Sequence, residues 1–129
     1  MFFTAFSRDK ALRADPLVLA FVGDSVYTLY VRSQLAEKTG KKSGGLHNDS
    51  VKYVSAHGQA EIFDRIYPTL DEGERDICRR ARNHHNKTVP KNTDGETYKK
   101  ATALEALVGY YYLTRDEYRL EQILRQVMD

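Results

Sequence analysis

Two carboxylates draw attention through their surroundings. Asp24 lies in Phe21-Val22-Gly23-Asp24-Ser25-Val26, within an apolar run from Leu17 to Val31, and Glu105 lies within Ala101-Thr102-Ala103-Leu104-Glu105-Ala106-Leu107-Val108-Gly109. An ionised carboxylate in a core is strongly disfavoured unless something compensates it. Two such groups brought together repel, and one is driven to take up a proton. A hard divalent cation removes the conflict. Mg²⁺, with Mn²⁺ as the alternative, is typically held by one or two carboxylates, the remaining positions going to waters and substrate phosphate oxygens. The expectation is that Asp24 and Glu105 converge and share a metal ion.

Two glycines support a close approach. Gly23 immediately precedes Asp24, and Gly109 follows Glu105 by one turn. A glycine inside a helix costs roughly 1 kcal/mol relative to alanine, so one beside each acid suggests that two helices cross tightly there. Other readings of the same residues remain. Leu17 to Val22 could be a buried strand, with Asp24 capping a helix from Ser25. Glu105 could be a neutral core acid or a partner of Arg32.

The elements that must position the acids read as helices throughout, with no convincing strand. Residues 1–13 form a short arm. Asp15-Pro16 is an N-cap followed by proline at the first helical position, opening a long helix to about Lys38. Leu17, Phe21, Asp24, Thr28 and Val31 share one face, and apolar residues on most other sides make this the expected central buried helix. Gly40-Lys41-Lys42-Ser43 looks like a fragment of a phosphate-binding loop, but it lacks the upstream glycine and follows a helix, so it is set aside. Asn48 or Asp49 caps a helix to about Ile66 with Val51, Val54, Ile62 and Ile66 inward. Thr69-Leu70-Asp71-Glu72 reads as a capping box for a helix to about His85. A polar loop, Thr88 to Gly95, leads to a helix from about Glu96 to Leu113. A last amphipathic helix runs from Asp116 to about Val127 on Tyr118, Leu120, Ile123, Leu124 and Val127. Tyr110, Tyr111 and Tyr112 read as core and subunit contacts.

The chain has 129 residues, 41% hydrophobic and 29% charged, which suits one all-α, bundle-like domain. Cys78 is the only cysteine, so no internal disulfide forms, in keeping with a reducing compartment. No signal peptide or membrane-length apolar run is evident, and a cytoplasmic location with no membrane partner is expected. Net charge is only +2, but Arg79, Arg80, Arg82, Lys87, Lys91, Lys99 and Lys100 cluster, with His84 and His85 among them and Asp94 and Glu96 opposing. A one-signed surface of this kind suits an anionic partner.

The motif around Asp24 resembles the signature of the ribonuclease III catalytic domain, and Leu104-Glu105-Ala106-Leu107-Val108-Gly109 resembles that family's second acidic motif. Arg79-Arg80-Ala81-Arg82-Asn83 and Pro90-Lys91-Asn92-Thr93-Asp94 are similar to the family's short branch, Mini-ribonuclease III. The likeness runs from about Asp15 to near the end of the chain, with no room for a double-stranded-RNA-binding domain. It implies an all-α endonuclease domain with Asp24 and Glu105 as the metal-binding, catalytic acids. Longer members carry further acids where this chain has Leu17, Ala20 and Thr102, which leaves the number of metals per site open. It further implies a homodimer acting on double-stranded RNA, leaving 5′-phosphate and 3′-hydroxyl ends. The short branch points to maturation of large-subunit (23S) ribosomal RNA precursors, with a ribosomal protein as an accessory. Arg79, Arg80, Arg82, Asn83, Lys87, Lys91 and Asn92 are the expected RNA contacts. Two alternatives stand beside this: a metal-independent ribonuclease using His84 and His85, and a non-catalytic helical RNA-binding module.

Overall fold

A computed structural model describes residues 5–84 and 94–128. Among these residues there are seven α-helices and no strand: α1 Arg8–Arg13, α2 Pro16–Thr39, α3 Ser43–Val54, α4 Ala56–Ile66, α5 Glu72–Asn83, α6 Gly95–Leu113 and α7 Glu117–Arg125. The all-helical expectation holds, and several boundaries differ for local reasons. The N-terminal arm contains α1, because the Ser7 hydroxyl caps it by accepting from Lys10 N–H at 3.1 Å. The segment expected as one helix to Ile66 breaks at Ser55, whose extended backbone ends α3 and whose hydroxyl caps α4 through Gly58 N–H. The capping box sits two residues later than expected. Asp71 accepts from Glu74 N–H at 2.8 Å, while the Glu74 carboxylate accepts from Asp71 N–H at 2.9 Å. Helix α5 stops at Asn83 with His84 as its cap, and α6 begins at Gly95 on the Asp94 cap.

The central helix is α6 rather than α2. Eleven of its residues are buried, and it packs against α2, α4 and α5. Helix α2 buries Leu19, Ala20, Gly23, Tyr27, Val31 and Leu35 on α6 but leaves Val18, Phe21 and Leu29 exposed. Phe21, read as sharing one face of this helix with Val31, is 78% exposed, whereas Val31 is buried. An apolar type thus says nothing about which side of a helix lies against the core. Val51 and Tyr118 likewise point outward, whereas Ile62, Ile66, Leu120, Ile123, Leu124, Tyr110 and Tyr111 are buried as their spacing implied.

The α2–α6 contact is a backbone-on-backbone crossing. A β-carbon added to Gly23 would lie 1.7 Å from the Glu105 carbonyl oxygen, and one added to Gly109 would lie 1.9 Å from the Leu19 carbonyl oxygen. No rotamer change relieves such an overlap, since the colliding atoms are main chain.

A second fixed point ties α5 to α7. Glu74 is 2% exposed and receives both Nε and Nη2 of Arg119, at 2.6 and 2.7 Å, and the Tyr111 hydroxyl at 2.6 Å. Burial pushes its pKa up, but these donors outweigh burial and hold it below the ordinary value. Cys78 is free, buried and packed under α6; burial pushes its thiol up to about 12, so it is an inert core residue.

Gly23→Ala would give up the intrinsic helical gain of alanine, roughly 1 kcal/mol, to a forced separation of the two main helices. Urea unfolding should show a net loss of at least about 2 kcal/mol. The control Ser25→Ala, on the exposed side of the same helix, should change stability by less than about 0.5 kcal/mol.

Candidate active site

The Gly23–Gly109 crossing determines where the two acids end up. Asp24 follows the contact glycine on α2, and the carbonyl that Gly23 touches belongs to Glu105 itself. The side chains therefore leave the crossing on the same side and face one another within hydrogen-bonding reach. Asp24 is exposed and Glu105 half-buried. They form one end of an open cleft of about 240 Å³ whose other walls are Leu17, Ala20, Phe21, Tyr98 and Thr102. Both acids lie within helices, and no ion pair joins Glu105 to Arg32 among the described residues.

The proximity has an electrostatic signature. Glu105 is raised from its ordinary 4.5 to about 9, first by desolvation and then by the hydrogen bond and negative charge of Asp24. The side-chain amide of Gln59, on α4, opposes this by favouring the ionised form. Gln59 is 2% exposed, and its Nε2 finds no acceptor. A buried donor without a partner costs about 1–3 kcal/mol. The metal-free site is thus frustrated twice, by two facing acids and by an unused buried donor.

The facing acids fit a hard cation. Two carboxylates on the wall of an open cleft suit an ion that takes its other ligands from water and phosphate. Among the described residues no group of three or more His, Cys, Asp or Glu converges anywhere. Leu17, Ala20 and Thr102, the neighbours in sequence that carry no carboxylate, all line this same cleft.

The basic cluster lies on the last turns of α5. Arg79 and Asn83 are exposed, Arg80 and Arg82 half-buried. Arg79, Arg82, Asn83, Glu96, Lys99 and Tyr67 surround a hollow of about 200 Å³. Its charges are more compensated than expected. Arg79 pairs with Asp76 at 2.5 Å, Arg82 with Glu96, and Lys100 with Asp64 at 3.0 Å. Arg80 reaches the Ala14 carbonyl at 3.5 Å. Lys87, Lys91 and Asn92 lie outside the described residues, as does His85. His84 faces Asp15 at 3.6 Å. Tyr98, Thr102 and Gln59 were not singled out as site residues from the sequence. Thr102 carried a hint, being one turn-related neighbour of Glu105, whereas Gln59 has no motif to mark it.

A model of the ribonuclease III domain matches residues 17–116. The chain is 45% identical over 118 residues to the Mini-ribonuclease 3 of Thermoanaerobacter sp. (strain X514), covering 92% of this chain and 83% of that one. It is 40% identical over 116 residues to the Mini-ribonuclease 3 of Staphylococcus aureus, covering 88% and 87%. Among solved structures, a crystal structure of a protein from Fusobacterium nucleatum superposes with a TM-score of 0.83 at 33% identity, covering 92% and 95% of the two chains.

The raised Glu105 pKa carries a stability consequence. Between about 4.5 and about 9 the folded chain holds a proton that the unfolded chain releases. Without divalent ions, stability should therefore fall as pH rises through that window. In EDTA, Glu105→Gln should melt several degrees above the wild type at pH 8.5 and close to it at pH 4.5; adding Mg²⁺ at pH 8.5 should raise the wild type only.

Proposed function

The chain belongs to the ribonuclease III family, in its Mini-ribonuclease 3 branch, and is an endoribonuclease of that type acting on double-stranded RNA; from that premise we propose that Asp24 and Glu105 are its catalytic, metal-holding acids. The observation that carries this reading is the meeting of the two carboxyls, from helices about eighty residues apart in sequence, at the wall of an open cleft. Asp24, exposed, and Glu105, half-buried, would hold Mg²⁺ or Mn²⁺ between them. Glu105, whose carboxyl is pushed up by burial and by Asp24, would have to be ionised to serve as a ligand. The chemistry such a cation supplies is activation of water for in-line attack on phosphorus and neutralisation of charge on the phosphate oxygens. The products of this hydrolysis carry 5′-phosphate and 3′-hydroxyl ends.

The α5 cluster supplies the phosphate grip. Arg79, Arg80, Arg82 and Asn83, together with Lys87, Lys91 and Asn92, hold the RNA backbone. The Arg79–Asp76 pair does not oppose this, because a pair between exposed side chains contributes only about 0–1 kcal/mol and exchanges readily for phosphate, and the Arg82–Glu96 pair keeps an exposed partner in Glu96. A-form shape and 2′-hydroxyls select a duplex without reading its bases. The proposed natural substrate is the precursor of 23S ribosomal RNA, following from membership of the short branch.

Val18, Phe21 and Leu29 form an exposed apolar line along α2, beside the cleft. A second copy of the chain is the proposed cover for it, giving a homodimer with one active site for each strand. Phe21→Glu should then convert a dimer into a folded monomer by light scattering and circular dichroism; a wild type that is monomeric at micromolar concentration removes the dimer.

For the chemistry, duplex RNA is incubated with wild type, Asp24→Asn and Glu105→Gln, with Mg²⁺ or with EDTA. Cleavage should require the ion and both acids, while both variants still bind RNA. Persistent cutting after metal removal, or near-normal turnover by either variant, rejects the assignment. A cyclic phosphate end would point instead to histidine-based cleavage.

A further inference from the structure

We propose that Gln59 is a positioning residue for the metal site, its side-chain amide holding the Glu105 carboxylate from behind. The proposal rests on Asp24 and Glu105 being the metal-holding pair. Three observations carry it. Gln59 is 2% exposed, although glutamine is a residue type that seldom enters a core. Its Nε2 is buried and meets no acceptor. Its amide faces Glu105, the carboxyl that Asp24 also meets.

The topology gives this contact a purpose. Asp24 comes from α2, Glu105 from α6 and Gln59 from α4, a helix that packs on α6 and contributes no residue to the lining of the cleft. A carboxylate ligand that turns one oxygen to a cation leaves the other needing a donor, and such outer partners fix the ligand's orientation. The buried Nε2 of Gln59, which acts on the Glu105 carboxyl without closing a full hydrogen bond and has no other partner, is placed to be that donor. Helix α4 is itself held in place, with Ser55 capping its first turn and Ile62, Phe63 and Ile66 buried beneath it. The donor is therefore pre-set and does not have to be recruited.

The test measures metal binding without turnover. Mn²⁺ affinity in the absence of RNA is read by electron paramagnetic resonance of the free ion for wild type, Gln59→Met, Asp24→Asn and Glu105→Gln. Gln59→Met keeps the length and bulk of the side chain and removes its polar atoms. The expected result is an affinity weaker by about tenfold, the lower end of the usual effect of losing such a partner, with the melting temperature of the metal-free protein unchanged or raised. A purely structural glutamine gives the reverse: a lower melting temperature and unchanged Mn²⁺ affinity, which overturns the proposal. A second measurement uses the wild type alone. The side-chain NH₂ resonances of Gln59 should shift on Mg²⁺ addition with the same midpoint as binding, and should stay put in Glu105→Gln. Resonances that do not move also overturn it, even if Gln59→Met fails to fold. If Asp24→Asn and Glu105→Gln bind Mn²⁺ as well as wild type, the parent reading of the metal site has failed instead, and the two failures are thereby distinguished.

Discussion

Main-chain contact between α2 and α6 is the constraint from which the rest of the structure follows. With Gly23 against the Glu105 carbonyl and Gly109 against the Leu19 carbonyl, the two longest helices approach more closely than any side chain permits. That closeness is what makes two acids meet. An acid one residue beyond Gly23 and another at the touched carbonyl leave the crossing with little freedom to diverge. The conformational cost of glycine in two helices is offset by the packing of a crossing whose both sides are apolar: Leu19, Ala20, Tyr27 and Val31 on α2, Leu104, Ala106, Leu107 and Val108 on α6.

The site is built at the expense of local comfort. Glu105 is desolvated beside another carboxyl, and Gln59 brings a buried donor with no acceptor. Elsewhere the same chain settles its buried charge fully. Glu74 is deeper than Glu105, yet Arg119, Tyr111 and the Asp71 amide satisfy it. The two acids differ in their surroundings. Glu74 is surrounded by donors that keep it ionised and fixed, whereas Glu105 faces a second carboxyl and is pushed toward its protonated form. The Glu74–Arg119 bridge also fixes α5 against α7.

Leu17, Ala20 and Thr102 line the same cleft wall as Asp24 and Glu105, so the two carboxyls have neutral side chains as their near neighbours there.

The sequence by itself determined the helical class, marked Asp24 and Glu105 as candidates and suggested the tight crossing, because each rests on a local signal: caps such as Asp15-Pro16, period-3.6 apolar positions, and glycine placed beside an acid. The order of the basic residues was equally legible. What the sequence left undecided was which way each surface turned. Phe21 and Val51 have the composition of core residues and lie outside, since the long apolar α2 can bury only the side that α6 covers. The break at Ser55 was missed because a single extended residue leaves the hydrophobic period almost unchanged. The pairing of Arg79 and Arg82 with Asp76 and Glu96, and the approach of Gln59 to Glu105, were decided by tertiary structure alone. Contacts between side chains on different helices depend on the relative rotation and offset of those helices, and no local pattern in a single strand of residues encodes either.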